Sequence, residues 1–442
     1  MVPRKKISCL LPFALLSLIP MAACNGSDNA EQGNKDIDLA SIPVPPPDGP
    51  RLASIDQSTP IFVRPALDSA KIGLMKAGAS VARSEKPVTS VGCPGGWYAI
   101  RPRGFVCNGQ KATTNLGHPT LVVMKTMPAR DANLPFMYRS TTKETPLYEW
   151  DRAKGNVVRE VGKLRRRSRF AVVGSWSAQL PKGGNANLAM MSDGRFVNAE
   201  HLEESTGSEF KGTAIDEETP LPIAFVVRKG IRAWQLEGKS AKKDEKLESK
   251  TIVALTGRFR TVGNLKFWAT SDGRYVRHRD VTTVRRRNVM PDFVSAKTPW
   301  IDISVVTGTA VLYEGKKPVY ATLCSVGHDR LGDPETGPTT QMGTFHITAK
   351  HLTTSTPGKK PFAENLDTFD VPWAQMMSSG QMIHGALWHS RFGIEHGPGN
   401  IQFSPADAAY IFRWVAPSVP EGWHAVLAFP EGESKTIVHI RK

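Results

Sequence analysis

Short runs in which apolar and polar residues alternate are the main pattern along the middle of the chain. Three of these runs, at residues 96–107, 191–197 and 270–276, enclose an Arg-Gly or Asp-Gly pair. Alternation around such a pair is the short-range signal of a β-hairpin with a tight turn. The pattern therefore predicts three hairpins that repeat along the chain.

An extended segment precedes each hairpin, at residues 60–64, 135–139 and 222–227. Each segment with its hairpin predicts a small β-barrel-like module, and we place the modules at 58–115, 116–210 and 211–290. The pattern resembles bacterial SH3-type domains, which implies peptidoglycan binding or the spacing of a catalytic domain. β modules with only a packing and spacing role fit the same pattern.

The N-terminus has the features of a bacterial signal peptide. A basic start at residues 4–6 precedes an apolar core at 10–20, which is too short to span a bilayer as a permanent helix. The core ends in Met-Ala-Ala-Cys, which resembles the lipobox of bacterial lipoproteins. We therefore interpret residues 1–24 as a lipoprotein signal peptide and Cys24 as the lipidation site. An ordinary signal peptide followed by a chance cysteine is the alternative.

Residues 25–57 are predicted to be a disordered linker, because they are polar and include the proline-rich run 43–50. Asn25 follows the lipidation site at the position where Asp marks lipoproteins for the inner membrane. The resemblance therefore implies a protein that is anchored in the outer membrane, through its lipid, and faces the periplasm.

The remaining cysteines would lie in an oxidising compartment. Cys93 and Cys107 flank the first hairpin, and we predict that they form a disulfide. Cys324 lies in an alternating run, 319–325, which is typical of a strand. We expect it to be a small buried core residue.

The chain carries a formal net charge of +16, concentrated in runs such as 163–167 and 285–287. For an envelope protein the anionic partners are lipid phosphates and cell-wall carboxylates, and we expect no nucleic acid. A basic face that is simply solvated is the alternative.

From Trp300 onward a series of segments resembles the YkuD-type L,D-transpeptidase domain. In order, they match its opening hairpin, its Thr-Pro-x-Gly-x-Phe segment, its substrate-side strand and the helix after its active site. We place this domain at residues 291–442. The matching segments are 300–304, 310–315, 342–347, 371–373, 383–389, 404–408 and 412–415.

The defining Ser-His-Gly-Cys motif of that family is replaced here. Its positions are occupied by Gly397, Pro398, Gly399 and Asn400, so only the glycine is kept. The resemblance implies an acyltransferase that attacks peptidoglycan stem peptides with a thiolate activated by histidine. An asparagine amide is no useful nucleophile, and a proline can neither accept a proton nor donate a backbone hydrogen bond.

The resemblance also implies a substrate-side wall made by His384, Gly385, Trp388 and His389. A groove for a stem peptide would then persist without turnover. The alternative is that both histidines are satisfied core or rim residues. Metal binding by these histidines with His396 matches no standard ligand spacing, so we expect neither metal nor cofactor.

The predicted fold is mainly β, with tandem SH3-like β-barrel modules before an L,D-transpeptidase-type β-sandwich or barrel with short helices. Two functions remain. The first is a non-catalytic envelope lipoprotein that binds peptidoglycan or envelope proteins, in which no catalytic motif residue is intact. The second is an active L,D-transpeptidase in wall cross-linking or remodelling that uses a nonstandard site, with His384, His389 or Cys324 indispensable.

Overall fold

The computed structural model describes residues 38–151, 153–355, 368–427 and 436–442. Strands dominate these ranges and helices are few and short, so the predicted mainly β fold is confirmed. Cys24, the signal peptide and the first part of the predicted linker lie outside the described residues. Within the described ranges, no helix is long and apolar enough to cross a membrane.

The first module consists of seven short strands: β1 (Arg51–Ser54), β2 (Thr59–Phe62), β3 (Lys71–Met75), β4 (Ser80–Ala82), β5 (Trp97–Ala99), β6 (Phe105–Cys107) and β7 (Ala112–Thr113). Hydrogen bonds connect them in the orders β3-β2-β6-β5 and β4-β1-β7. The hairpin predicted at 96–107 is confirmed as β5 and β6, in which Trp97 lies opposite Cys107. A disulfide joins Cys93 to Cys107, whose Cα atoms are 5.9 Å apart.

The prediction that the disordered linker extends to residue 57 is wrong, because ordered elements already form between residues 39 and 54. A 3-10 helix forms at Leu39–Ser41, and Leu39 and Ile42 pack against the core cluster around Trp97. Strand β1 follows, with Leu52 fully buried. A few apolar side chains among prolines and polar residues are enough to attach this segment to the first module. The prediction rested on the average composition of the segment, which is polar and does not reveal these few side chains.

The second and third modules follow. Helix α1 (Pro119–Val123) precedes the second module, which comprises β8 (Met137–Thr141), β9 (Thr145–Trp150), β10 (Val158–Leu164), β11 (Arg169–Gln179), β12 (Asn185–Met191), β13 (Phe196–Asn198) and β14 (Leu202–Glu204). After β15 (Thr213–Ala214), the third comprises β16 (Ile223–Phe225), β17 (Ile231–Glu237), β18 (Ser240–Leu247), β19 (Ile252–Val262), β20 (Leu265–Thr270), β21 (Tyr275–Arg277) and β22 (Thr282–Val284). The hairpins predicted at 191–197 and 270–276 are confirmed as β12–β13 and β20–β21.

All three modules share one strand order. Numbered within each module, the strands of the second and third are connected by hydrogen bonds as 3-2-6-5-4-1-7. The first module has the same order, interrupted between its fifth and fourth strands. A 3-10 turn precedes the last strand in the second and third modules, at Ala199–His201 and His278–Asp280. The modules are therefore a structural repeat, although only their hairpins are visibly similar in sequence.

The C-terminal domain contains β23 (Pro299–Ser304), β24 (Thr309–Glu314), β25 (Lys317–Leu323), β26 (Gly343–Thr354), β27 (Val371–Met377), β28 (Met382–Gly385), β29 (Ile401–Phe403), α2 (Pro405–Trp414), β30 (Ala425–Val426) and β31 (Ile437–Arg441). Its main sheet runs β25-β24-β23-β31-β26-β30, and β27, β28 and β29 extend from β26. The predicted opening hairpin is β23–β24, and the predicted helix is α2. Ser404 caps the N-terminus of α2, because its hydroxyl accepts from the backbone N–H of Asp407, and Pro405 is the first helical residue.

A buried lysine closes the C-terminal end of α2. Lys350, on β26, donates from Nζ to the carbonyl oxygens of Phe412, Val415 and Pro417 at 2.7, 2.5 and 2.8 Å. Carbonyls at a helix C-terminus lack intrahelical donors and carry partial negative charge, so a cation stabilises them. Burial lowers the pKa of Lys350 to about 7. This contact fixes α2 against the sheet behind the candidate site.

Candidate functional site

The four predicted motif positions, residues 397–400, form a loop that leads directly into β29. Strand β29 pairs in parallel with β28, which places Gln402 opposite His384. On the other side of the loop, the Thr340 hydroxyl donates to the carbonyl oxygen of Gly399 at 2.8 Å. The structure thus brings the motif positions and His384 together, and it adds Gln402 and Thr340, which sequence reasoning did not select.

Gly397 is the residue predicted at the position of the family serine, and its surroundings leave no room for a side chain. Its φ is +101°, in the region that favours glycine. A Cβ atom there would lie 2.1 Å from Nε2 of Gln402. That Nε2 donates to the carbonyl oxygen of His396 at 2.9 Å. A serine could enter only if the Gln402 amide moved away from this hydrogen bond.

Asn400, predicted at the position of the family cysteine, forms a hydrogen bond within the fold. Its side chain is half-buried, and its Oδ1 accepts from the backbone N–H of Met382 at 3.0 Å. This bond holds the loop to the start of β28. Pro398, predicted at the position of the family histidine, is exposed and has no group that titrates. Neither position supplies a nucleophile or a base.

His389 is held in one neutral tautomer. Its Nδ1 accepts from the backbone N–H of Arg391 at 3.0 Å, so the ring hydrogen lies on Nε2. Nε2 donates to Oε1 of Gln402 at 2.8 Å. Burial lowers the pKa of His389 to about 3. Both ring nitrogens are therefore engaged, and the ring is neutral at physiological pH.

His384 lies deeper, on β28, and is fully buried. Its Nδ1 is 3.0 Å from the carbonyl oxygen of Gly385, so that nitrogen donates. Burial lowers the pKa of His384 to about 4. The Trp388 ring lies 5.7 Å from it, between centroids. The structure thus groups all four predicted wall residues, His384, Gly385, Trp388 and His389, but its contacts favour core histidines over a substrate base.

Two other modules pack on the loop that carries Trp388 and His389. Leu387 contacts a small cluster with Tyr138 and Ala171 of the second module. On the far side, Phe392 stacks on Phe210, with centroids 6.3 Å apart. The wall is therefore held between segments distant in sequence, and nothing in the local pattern identified Phe210 as part of it.

The third module contributes a cation to the same contact. Lys250 places its ammonium 5.0 Å from the Phe392 centroid and 5.2 Å from that of Phe210. Nζ also donates to the Ser208 hydroxyl at 3.2 Å. Burial lowers the pKa of Lys250, and the carboxylate of Asp407 opposes that shift. The segment before β16 is thus attached to the C-terminal domain by aromatic, cation-π and hydrogen-bond contacts.

Asp407, on α2, connects the intermodule segment to the core. Its carboxylate accepts from the Gly212 N–H at 2.9 Å, from the Tyr320 hydroxyl at 2.7 Å and from the Thr322 hydroxyl at 2.6 Å. Its Oδ2 also accepts from the Ser404 hydroxyl at 2.8 Å. Burial raises the pKa of Asp407 despite these donors. All of its acceptor positions serve the fold, so Asp407 has a structural role.

Cys324 is fully buried, so the prediction of a core residue is confirmed. Its carbonyl oxygen accepts from the Gly393 N–H at 3.0 Å, which places its backbone near the candidate site. Burial raises the pKa of the thiol far above its ordinary value. Nucleophilic cysteines need a thiolate and access to substrate, and this side chain has neither. Among the described residues, no group of three His, Cys, Asp or Glu side chains is arranged to hold a metal.

Comparison with solved structures finds L,D-transpeptidases at low sequence identity. One from Mycobacterium tuberculosis is 17% identical, with 43% of this chain and 77% of that chain covered and a TM-score of 0.24. One from Mycobacterium smegmatis is 18% identical, with coverage of 42% and 77% and a TM-score of 0.25. One from Xylanimonas cellulosilytica is 15% identical, with 35% of this chain covered and a TM-score of 0.24. The match spans 64% of that Xylanimonas chain.

A comparison with curated proteins found no match. Residues 298–440, in contrast, match the family model of YkuD, the L,D-transpeptidase catalytic domain. The matched range begins just before β23 and ends within β31, so it contains every strand and the helix that build the site. The C-terminal part of this chain therefore carries a YkuD-type L,D-transpeptidase catalytic domain.

Proposed function

We propose that this protein is a peptidoglycan-associated envelope lipoprotein whose L,D-transpeptidase domain binds wall peptides or envelope proteins without catalysing acyl transfer. The proposal is supported by Asn400, which the sequence comparison assigns to the position of the nucleophilic cysteine and whose side-chain amide accepts a hydrogen bond from the Met382 backbone. The reaction that the family resemblance implies needs a thiolate to form a thioester with the stem peptide. An amide at that position cannot form the thioester.

No nearby residue that we considered replaces the family's cysteine nucleophile and its histidine base. A general base must be within reach of the nucleophile and must have a free lone pair at the working pH. His389 accepts a backbone hydrogen on one nitrogen and donates to Gln402 from the other. Cys324 is enclosed in the core. These contacts support binding without turnover.

The binding role rests on the wall of His384, Gly385, Trp388 and His389, together with the three repeated modules. Their shared strand order is compatible with the SH3-like interpretation of the sequence. Peptidoglycan is the proposed partner, because its carboxylates suit a chain with a net charge of +16.

Anchoring is the second part of the proposal. Cys24 would carry a lipid that anchors the protein in the outer membrane. The residues after Cys24 would connect this anchor to the first module, on the periplasmic side. Metabolic labelling with an alkyne fatty acid tests this part. We expect label in the natural chain and none in Cys24→Ala, and label that persists in the variant would contradict lipidation at this residue.

The catalytic part is tested with tetrapeptide-rich sacculi. The protein from residue 25 onward is incubated with the sacculi, the muropeptides are read by mass spectrometry, and protein in the pellet is measured. We expect an unchanged muropeptide profile and co-sedimentation of the protein. The Asn400→Cys variant is a matched comparison that restores the thiol without its histidine, and we expect it to remain inactive as well.

New 3-3 cross-links or tripeptide stems made by the natural chain would contradict the proposal. The active alternative would then be examined with Cys324→Ala, His384→Gln and His389→Gln. Failure of the protein to sediment with sacculi would contradict the association with peptidoglycan.

A further inference from the structure

A partly open cavity of about 630 Å³ lies where the first module, the second module and the C-terminal domain meet. The first module lines it with Arg51 and residues 76–80, and the C-terminal domain lines it with residues 419 and 421–424. Between them lie side chains from the segment 124–136 and from the second module. The lining shares no residue with the candidate site. Small-molecule sites have about this volume and occur preferentially at such junctions.

Packing and hydrogen bonds hold the walls of this cavity in place. Ala77 and Met124 belong to one buried apolar cluster with side chains of the second module. The Lys76 ammonium lies 3.1 Å from the carboxylate of Asp370, which also accepts from the Ser192 hydroxyl at 2.7 Å. These three side chains come from the first module, the C-terminal domain and the second module. The cavity is therefore a preformed gap in a contact that is otherwise packed.

Much of the lining is apolar. Met124, Phe136, Val173 and Trp423 contribute to it, and Met127 lines the cavity while 43% exposed. Methionine side chains are flexible and polarisable, so they adapt to apolar ligands of different shape. Such a lining favours a flexible hydrocarbon chain.

Exposed apolar side chains continue along the segment that supplies Met127. Leu116, Val122 and Val123 are each at least 39% exposed. Val122 and Val123 end helix α1, directly before Met124 of the lining. Several exposed apolar side chains in one short segment indicate a surface that apolar molecules contact.

Arg130 is a half-buried cation of the lining. Its guanidinium donates from Nη1 to the carbonyl oxygen of Val419 and from Nη2 to that of Trp423, both at 2.6 Å. These are its side-chain hydrogen bonds within the described residues. A guanidinium has five N–H groups, so three of them remain for an anion.

The lining carries more positive than negative charge. Its cations are Arg51, Lys76 and Arg130, and its one carboxylate belongs to the exposed Glu421. Lys76 is paired with Asp370, so Arg51 and Arg130 are the cations available to a ligand. Among the described residues, Arg51 uses only its Nη2 in side-chain hydrogen bonds. The remaining guanidinium donors favour an anionic head group.

Trp423 adds a buried donor to the lining. Its ring lies against Gly73, where a Cβ atom would come within 2.3 Å of it. Trp423 is 1% exposed, and its indole N–H has no hydrogen-bond partner within the part of the chain that the structure describes. Buried donors are normally paired, and an acceptor on a bound ligand would satisfy this one.

We propose that this cavity binds a single-chain lipid anion, with its hydrocarbon chain on the apolar lining and its carboxylate or phosphate head on Arg130 and Arg51. The inference rests neither on the candidate site nor on the proposed association with peptidoglycan. Burial of the chain removes apolar surface from water. A guanidinium binds a carboxylate or a phosphate through two parallel hydrogen bonds, so a neutral lipid of the same length should bind more weakly.

The test uses the protein from residue 25 onward, which keeps every described residue and carries no lipid that would require detergent. The probe is parinarate, a fluorescent fatty acid. Its displacement is measured with oleate, with a lysophosphatidate that has one oleoyl chain and with methyl oleate, all below the concentrations at which they aggregate. We expect one saturable site per chain, displacement by the anions, and displacement by methyl oleate that is about tenfold weaker. Binding of either anion supports the inference, and the tighter one distinguishes a free fatty acid from a phosphate lipid.

Two variants change the cavity itself. Met127→Trp should fill part of it, and Arg130→Gln should remove the charge that holds the head, so each should weaken oleate binding about tenfold. Met137→Trp and Arg413→Gln are matched controls outside the lining, and both of these side chains are exposed. Arg413 also donates to the carbonyl oxygens of Arg130 and Ala132, so its loss reports any general disturbance of this segment. The controls should bind like the natural chain.

A photoreactive fatty acid locates the site independently of these variants. We expect crosslinks within residues 124–136 and 419–424, read by mass spectrometry. Crosslinks confined to other segments would overturn the inference. Equal displacement by methyl oleate and oleate would also overturn it, as would oleate binding that both Met127→Trp and Arg130→Gln leave unchanged. Met127 is exposed, so its variant decides the test even if Arg130→Gln fails to fold.

Discussion

His389 donates from Nε2 to Oε1 of Gln402 at 2.8 Å, and the same Gln402 amide donates from Nε2 to the carbonyl oxygen of His396. Gln402 thus links His389, in the predicted substrate-side wall, to the start of the loop at residues 397–400. It also fills the space that a side chain at Gly397 would need. The candidate site is therefore organised around a neutral amide, and its histidine serves as a hydrogen-bonded support.

Gly397→Ser should lower the free energy of unfolding by about 1–3 kcal/mol, because a φ of +101° strains any residue with a Cβ and because that Cβ meets the Gln402 amide. Urea unfolding measures the loss. In a Gln402→Ala background the steric part disappears and only the backbone strain remains, so the same substitution should cost less. Equal costs in both backgrounds would show that Gln402 does not exclude the side chain.

Acid should destabilise the protein through His384 and His389, whose pKa values are lowered by burial to about 4 and about 3. An unfolded histidine titrates near pH 6.5, so below that pH the unfolded chain binds more protons than the folded one. Stability is therefore full above about pH 6.5 and falls as the pH drops toward 4, by at most about 1.4 kcal/mol per pH unit for each histidine.

Urea midpoints between pH 7 and 4.5 measure this dependence. His389→Gln can keep a hydrogen bond without titrating, so its curve should be flatter than that of the natural chain. A curve of unchanged slope would exclude His389 as a source of the acid sensitivity.

Cys324 should resist alkylation in the folded protein. Its side chain is fully buried and burial raises the pKa of its thiol, so both access and thiolate are lacking. We expect no iodoacetamide adduct at Cys324 in native buffer and complete reaction in guanidinium chloride, read by mass spectrometry. Rapid labelling in native buffer would instead revive Cys324 as a candidate nucleophile.

Removal of the disulfide should destabilise the first module. Cys93 and Cys107 are separated by 14 residues, and in the chain-entropy account a crosslink over such a loop stabilises by about 3 kcal/mol. A Cys93→Ala and Cys107→Ala double variant should therefore unfold at lower temperature, in calorimetry, than the oxidised protein. Reductant should lower the midpoint of the natural chain and leave the variant unchanged. A midpoint insensitive to both changes would contradict this role.

Local signals in the sequence were sufficient for several hairpins of the repeated modules. The Asp-Gly turns at 191–197 and 270–276 and the alternation beside them predicted real hairpins, because turn geometry and side-chain alternation depend on neighbouring residues. The family resemblance over 404–408 and 412–415 predicted helix α2, which the structure has at Pro405–Trp414. Residues 397–400 contain no cysteine, and this is the basis of the proposal that the domain does not catalyse acyl transfer.

Only the tertiary structure decided what surrounds those residues. Gln402 fills the space beside Gly397, Phe210 and Lys250 support the wall, and Leu39 and Ile42 attach a segment that composition assigned to the linker. These contacts join segments that are far apart in the chain. They are stabilised by burial and hydrogen bonds, which no local sequence pattern encodes.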